Sequence, residues 1–348
     1  MPETLLAVRA GEYRIMDVMD ITGSVWFITC AVILGLFVFD FYAHVRVPHE
    51  PTFTESAIWS SVYIGLAVVF GVVVWWLWGG TFAGEYFAGY VTEKALSVDN
   101  LFVFTVIMGT FAVPRAFQQK LLLIGIVLAL VMRAGFIAVG AAAISTFSWV
   151  FYLFGLFLVL TAIKLAKEAG HEKEVEEKRD SRIIALVRRL VPTTDTYDGD
   201  KFLTKVDGSR VVTPMLLALI AIGFTDVLFA LDSIPAIYGL TEQPYIVFTA
   251  NAFALMGLRQ LYFLIGGLLD RLVYLSYGLA LILAFIGVKL VLHALHENSL
   301  PFINGGDHVT VPEISTGMSI GVIGVVLLVT TVASLVKTRG RASTPDSV

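Results

Sequence analysis

Long apolar runs, interrupted at regular intervals by short polar stretches, dominate the pattern along the chain. A bilayer-crossing helix needs about 20 mostly apolar residues. The pattern predicts nine such spans, at roughly 22–41, 57–78, 83–112, 119–143, 146–166, 213–239, 246–269, 273–295 and 316–336. Most connections are short, and Gly79 and Gly80 join two spans almost directly. The fold class this predicts is an all-α polytopic membrane protein, a single transmembrane domain over residues 1–348. In such a bundle each helix satisfies its own backbone hydrogen bonds.

One polar segment breaks the rhythm, the insert at 167–212. Residues 172–189 have helical periodicity, with Ile183, Val187 and Leu190 on one stripe, which predicts an amphipathic helix. Past Pro192, residues 201–213 read as a β-hairpin turning at Asp207 and Gly208. The segment also holds Lys167, Lys173, Lys178, Arg179, Arg182, Arg188, Arg189, Lys201, Lys205 and Arg210. Basic loops stay on the cytoplasmic side. The insert is therefore expected inside, with the N-terminus outside and the C-terminus cytoplasmic. Arg9 and Arg14 run mildly against this. The N-terminal 20 residues lack the clean apolar core of a cleavable signal peptide.

Composition agrees with the pattern. Of 348 residues, 57% are hydrophobic and 15% charged, and mean hydropathy is +0.82. A soluble protein of this size would expose apolar patches far beyond the usual few hundred Å². The net charge of -4 gives no reason to expect a nucleic-acid partner. The single cysteine, Cys30, excludes an intrachain disulfide and a cysteine-based metal site.

Spans three and six carry similar motifs. Glu93-Lys94-Ala95-Leu96-Ser97-Val98-Asp99-Asn100 aligns with Asp226-Val227-Leu228-Phe229-Ala230-Leu231-Asp232-Ser233. Arg133 in span four matches Arg259 in span seven. Tyr152 and Lys164 in span five match Tyr277 and Lys289 in span eight. Spans 3–5 and 6–8 thus read as two copies of one three-helix unit. An odd span number inserts consecutive copies in opposite senses, which predicts inverted three-helix repeats. Transporters built this way hold substrate near the midplane, where the copies meet.

The chemistry lies in the charges inside the spans. Each costs roughly 2.5–3.5 kcal/mol on insertion scales, yet the spans contain Glu93, Lys94, Asp99, Arg133, Asp226, Asp232 and Arg259. Residues seven apart share a helix face, as Glu93 and Asn100 do, and Asp226 and Ser233. Asp99 and Asp232 lie one position off that stripe. A local unwinding near Gly223 and Pro235 would bring both acids of span six to one point. The expected site is a cup of oxygen ligands: Glu93, Asp99, Asn100, Asp226, Asp232 and Ser233. Lys94, Arg133 and Arg259 are expected as counter-ions. Hard oxygen donors suit Mg²⁺, Ca²⁺ or Mn²⁺. Crowded carboxylates hold a proton that an entering metal would displace, a route to proton–metal antiport. Structural ion pairs that only fix helix packing are the plainer alternative.

Other groupings carry less. His293, His296 and Glu297, with Asp307 and His308 nearby, read as a polar helix end, as do His44 and His49. Met108, Met132 and Met256 read as core filler, and Trp75, Trp76 and Trp78 as an interfacial belt. No phosphate-binding loop or serine nucleophile motif is present, so no enzyme activity is expected.

The two acidic motifs, with Val191-Pro192-Thr193-Thr194-Asp195 and the hairpin, make the chain resemble the TerC family of integral membrane proteins, including its Alx-like members. The resemblance covers roughly residues 22–336. It implies metal-ion transport, manganese efflux above all, in a bacterial inner membrane, and the family is named for tellurium resistance. Some members are linked to metal delivery to exported enzymes. Carried over residue by residue, Glu93, Asp99, Asn100, Asp226, Asp232 and Ser233 become the ion site. The partners are then the lipid bilayer, metal ions and protons. No cofactor is held permanently; the divalent cation is substrate. A different expectation is a membrane scaffold of a tellurite or metal stress-resistance complex that docks soluble partners on the insert.

Overall fold

A computed structural model of the chain describes residues 19, 21–47, 49–147, 149–169, 192–206, 208–265, 272–298, 311, 312 and 314–341. The amphipathic helix expected at 172–189, as well as Asp207, Asp307 and His308, lie outside the described residues.

The described chain is helical apart from one hairpin. The helices are α1 (Gly23–Asp40), α2 (Phe53–Trp78), α3 (Gly80–Thr110), α4 (Arg115–Thr146), α5 (Val150–Glu168), α6 (Pro214–Tyr238), α7 (Pro244–Leu255), α8 (Leu258–Ile265), α9 (Leu275–Glu297) and α10 (Thr316–Arg341). A π-helical turn, Phe41–Val45, extends α1. Strand β1 (Leu203–Val206) pairs antiparallel with β2 (Ser209–Val212), Leu203 opposite Val212.

Eight of the predicted spans are long and apolar enough to cross a membrane among the described residues, with α7 and α8 counted together as one. The chain is thus a multi-pass α-helical membrane protein. The remaining predicted span is α3. Its 31 residues reach about 46 Å, but polar side chains lower its hydropathy below that of its neighbours.

Burial sorts the helices into an inner and an outer set. Exposed apolar side chains cover α1, α2, α5 and α10, among them Phe27, Trp76, Leu156 and Leu328. Those faces suit lipid. By contrast α7 is buried on every side, from Tyr245 through Leu255. It packs along α3, while α4 packs along α6 and α5 along α9. The α5–α9 crossing is close because two glycines meet. A Cβ added to Gly155 would come within 2.7 Å of the Gly287 carbonyl oxygen, and one added to Gly287 within 2.8 Å of that of Gly155. Small residues at such crossings let backbones approach where lipid offers no hydrophobic drive.

The break in the bundle falls in span seven. α7 ends at Leu255, Gly257 takes φ +76, and α8 begins at Leu258. Glycine alone adopts that φ without cost. The Lys94 amine donates to the carbonyls of Ala254 and Met256, at 2.9 and 3.3 Å. A cation at a helix C-terminus also meets the negative end of its dipole. The unwinding expected in span six is not there: α6 runs unbroken through Pro235 to Tyr238.

The hairpin packs on the end of the bundle formed by the close of α3 and the start of α4. The Tyr197 hydroxyl donates to the Phe111 carbonyl at 2.7 Å. Lys120 pairs with Asp200 at 2.7 Å and lies 5.6 Å from the Phe202 ring centre.

Candidate functional site

Four helices converge on one guanidinium. Arg133, midway along α4, is completely buried, as is Glu93 of α3, and Asp226 of α6 is 2% exposed. A charge in that setting requires partners, because an unpaired buried ion costs several kcal/mol. Arg133 has them on three other helices. Its Nε donates to Asp226 Oδ2 at 3.2 Å and its Nη2 to Asp226 Oδ1 at 3.0 Å. Its Nη1 donates to Glu93 Oε1, to Ser233 Oγ at 3.1 Å and to Asn251 Oδ1 of α7 at 2.9 Å.

The helices explain the convergence. Asp226 and Ser233, seven apart on unbroken α6, project from one face toward α4. Glu93 reaches the same point from α3, and its Oε1 also accepts from the Ser97 hydroxyl at 3.4 Å. Asn251 is fixed from behind: its amide donates to the Val247 carbonyl at 2.9 Å, leaving Oδ1 to face Arg133. Three buried oxygens nearby lack a hydrogen-bond partner: Glu93 Oε2, Thr92 Oγ1 and Thr225 Oγ1. Each belongs to an acid of the knot or to the residue just before one. Buried polar atoms are rarely left so.

The other expected ligands stand apart from the knot. Asp232 accepts from Thr161 Oγ1 of α5 at 3.0 Å. Asp99 and Asn100 are further along α3, Asn100 buried and Asp99 half-buried. The cause is helical geometry. Residues six apart point about 120° apart on a straight helix, and neither α3 nor α6 unwinds to close that angle. The four-carboxylate cup is therefore replaced by two carboxylates about one arginine. Among the described residues no three His, Cys, Asp or Glu side chains form a ready cage for a metal ion.

The expected counter-ions also divide. Arg133 serves the knot. Lys94 holds backbone carbonyls at the span-seven break instead of a carboxylate. Arg259, on α8, pairs with Asp40 of α1 at 2.8 Å and donates to Gln119 of α4. Asn251, Asp40 and Gln119 were not singled out in the sequence. Asn251 is a neutral amide inside a mostly apolar buried run, and it lacks the charge that marks Glu93 and Asp226 in theirs. Asp40 ends an apolar run, where an acid reads as a helix boundary. At the opposite end of the bundle from the hairpin, His293 pairs with Glu242 at 3.0 Å, and Thr241 donates to Glu85 at 2.6 Å.

Residues 78–342 match the integral membrane protein TerC family. An uncharacterized membrane protein of Mycobacterium tuberculosis strain H37Rv is 54% identical over 325 residues, 93% of this chain and 82% of that protein. One from Myxococcus xanthus is 37% identical over 334 residues, 95% of this chain and 98% of the other. The Escherichia coli K12 protein Alx, provisionally named a membrane-bound redox modulator, is 39% identical over 255 residues, 71% of this chain and 78% of Alx. No solved structure matches the chain.

Proposed function

The chain belongs to the TerC family of integral membrane proteins, and from that premise we propose that it exports divalent metal ions, Mn²⁺ first among them, by exchange with protons. One observation carries the reading: two carboxylates, a hydroxyl and an amide oxygen from three helices meet at the buried Arg133, and one carboxylate oxygen, Glu93 Oε2, is left without a donor. These are hard oxygen donors, the kind Mn²⁺, Mg²⁺ and Ca²⁺ take.

In this reading Arg133 stands in for the cargo. Its five hydrogen bonds occupy the oxygens a metal would use, and two carboxylates against one guanidinium leave the knot at -1. An arriving M²⁺ takes Glu93, Asp226, Ser233 and the Asn251 oxygen, and Arg133 gives way. Asp99 and Asp232, on other faces of the same helices, and Asn100, two turns beyond Glu93 on its face, are stations on the way in or out. The packing of α3 on α7, α4 on α6 and α5 on α9 is the pairing expected of two inverted three-helix units, and it supports the repeat. The hairpin end is then cytoplasmic, and a bacterial inner membrane the location. A dithiol redox cycle within the chain has no support, since Cys30 is its single cysteine.

The test is flux into proteoliposomes with Mn²⁺, Mg²⁺, Ca²⁺ and Zn²⁺ at two pH gradients. Wild type is expected to move Mn²⁺ in a gradient-dependent way, and E93Q and D226N to lose that flux while remaining inserted. Equal flux from wild type and both variants would overturn the reading.

A further inference from the structure

A second buried polar cluster lies at the hairpin end of the bundle, and nothing in the transport site uses it. Asp40, the last residue of α1, is 6% exposed. One of its oxygens, Oδ1, is crowded with donors. Tyr63 Oη of α2 donates at 2.7 Å, Arg259 Nη2 at 2.8 Å and Gln260 Nε2 at 3.1 Å. His44 Nδ1 stands 3.2 Å from the same oxygen, without the alignment of a hydrogen bond. The π-turn Phe41–Val45 sets His44 there, with its ring edge-on to Trp59 at 4.5 Å. Such π-turns recur at functional sites.

Two small cavities flank the cluster. Asp40, Tyr63, Gly257, Arg259 and Gln260 line one. His44, Glu55, Ser56, Arg259 and Gln260 line the other. Four buried polar atoms here have no hydrogen-bond partner: His44 Nδ1, Ser56 Oγ, Arg259 Nε and Gln260 Oε1. Orphaned polar atoms beside cavities are the setting in which proteins hold internal water.

We propose that Asp40 and His44 form a proton-binding site that biases the broken span α7–α8, and through it the Arg133 knot. The proposal rests on the cation-transport reading and adds to it a proton-sensing group at the hairpin end of the bundle. His44 takes a proton from hydronium in the cavity beside Glu55 and Ser56, one O–H bond breaking as one N–H bond forms, and returns it to water there by the reverse transfer. A protonated His44 competes with Arg259 for Asp40 Oδ1. Arg259 and Gln260 are in the first turn of α8, immediately after the Gly257 break, and a Cβ at Gly257 would come within 2.9 Å of Tyr63 Cβ. Across the break α7 carries Asn251, an acceptor of Arg133. Proton uptake at one end thus loosens α8 and shifts the shell of the metal site. The broken span is the physical element that both sites bias.

The charged groups facing this pair are few, and the rest are spoken for. Arg259 and Tyr63 touch Asp40 directly. Glu55, across the second cavity, pairs with His49 at 3.3 Å. On α4, Lys120 is held by Asp200 and Arg115 by Glu50, and Gln119 is neutral. Arg46, next along the chain from the π-turn, is exposed.

The experiment compares wild type with H44Q in proteoliposomes, reading Mn²⁺ flux against the pH gradient, and in detergent, reading Mn²⁺ binding. The expected result is that H44Q binds Mn²⁺ as wild type does and loses the gradient response. A full gradient response in H44Q would overturn the proposal. D40N serves the same comparison if H44Q fails to insert. Should wild type neither bind nor carry Mn²⁺, the transport reading itself has failed. Amide exchange of α8 between about pH 5.5 and pH 8 then decides the proton site: a pH-dependent change in wild type that H44Q lacks supports it, and no change in wild type overturns it.

Discussion

Arg133 grips both carboxylate oxygens of Asp226 from one side, Nε on Oδ2 at 3.2 Å and Nη2 on Oδ1 at 3.0 Å. This side-on fork is the strong form of a charged hydrogen bond, and lysine cannot reproduce it. With Asp226 held there, the remaining nitrogen, Nη1, is free to gather Glu93, Ser233 and Asn251. The pairing of α4 with α6 therefore decides where the ligands from α3 and α7 meet.

Removing the guanidinium should hurt folding more than removing any single acid. Arg133→Ala leaves two buried carboxylates without a cation. Breaking one partner out of a buried ion pair typically costs about 3–5 kcal/mol. The expected outcome is low membrane abundance and a lowered unfolding midpoint in detergent. Arg133→Lys should recover part of that stability, because the charge returns without the fork. Wild-type stability in Arg133→Ala would mean the knot contributes nothing to the fold.

Asp226 and Asp232 lie six residues apart and should behave differently. Asp226 is in the knot; Asp232 accepts from Thr161 on the far side of the helix. Asp226→Asn is expected to abolish high-affinity Mn²⁺ binding measured by calorimetry in detergent. Asp232→Asn keeps an acceptor oxygen for Thr161, so it should leave affinity nearly intact and slow flux if Asp232 is a station on the path. The reverse ranking would move the binding site to the α5–α6 face.

The sequence made the spans legible because each is an apolar run bounded by polar residues, and it made Glu93, Asp226 and Arg133 legible because charge inside such a run demands a partner. It gave the wrong place for the helix break. Proline at 235 marks a position that can lose a hydrogen bond, but α6 absorbs it near its end. Gly257 breaks span seven through a positive φ, which a single glycine among apolar residues does not announce. The separation of Asp99 and Asp232 from the knot follows from the unbroken helices: once neither α3 nor α6 unwinds, a six-residue spacing cannot converge. Arg259 was visible as a charge inside a span, but Asp40 reads as a helix boundary, and their pairing joins residues 219 apart; local pattern carries no information about such a contact.

Outside the membrane-spanning helices, the hairpin should weaken in acid. Hydrogen bonds from Thr204 and then Lys201 hold the Asp198 carboxyl below the usual aspartate range. A depressed folded value means the carboxylate stabilises the hairpin above about pH 4, the unfolded value, and that this support fades as pH falls through the lower folded value. Thr204→Val removes the larger cause. NMR titration of Asp198 should then show its midpoint rising toward the ordinary value, with faster amide exchange in β1. An unmoved midpoint would show that the Thr204 hydroxyl does not hold the carboxylate. Tyr197 acts at the other extreme: burial pushes its phenol up to about 12, so its bond to Phe111 should persist through any physiological pH.

The Gly155–Gly287 crossing offers a test of packing that touches no charged group. A methyl at either position would sit within 2.8 Å of the facing carbonyl oxygen, and that oxygen belongs to backbone that cannot swing aside. The helices must separate, and overpacking of this kind costs about 1–3 kcal/mol. Gly155→Ala and Gly287→Ala should each lower the unfolding midpoint by a similar amount. Together they should cost less than the sum of the two, because a crossing already opened by one methyl has room for the next. Strict additivity in that double-mutant cycle would place the two glycines in separate contacts and remove α5–α9 as a close-packed pair.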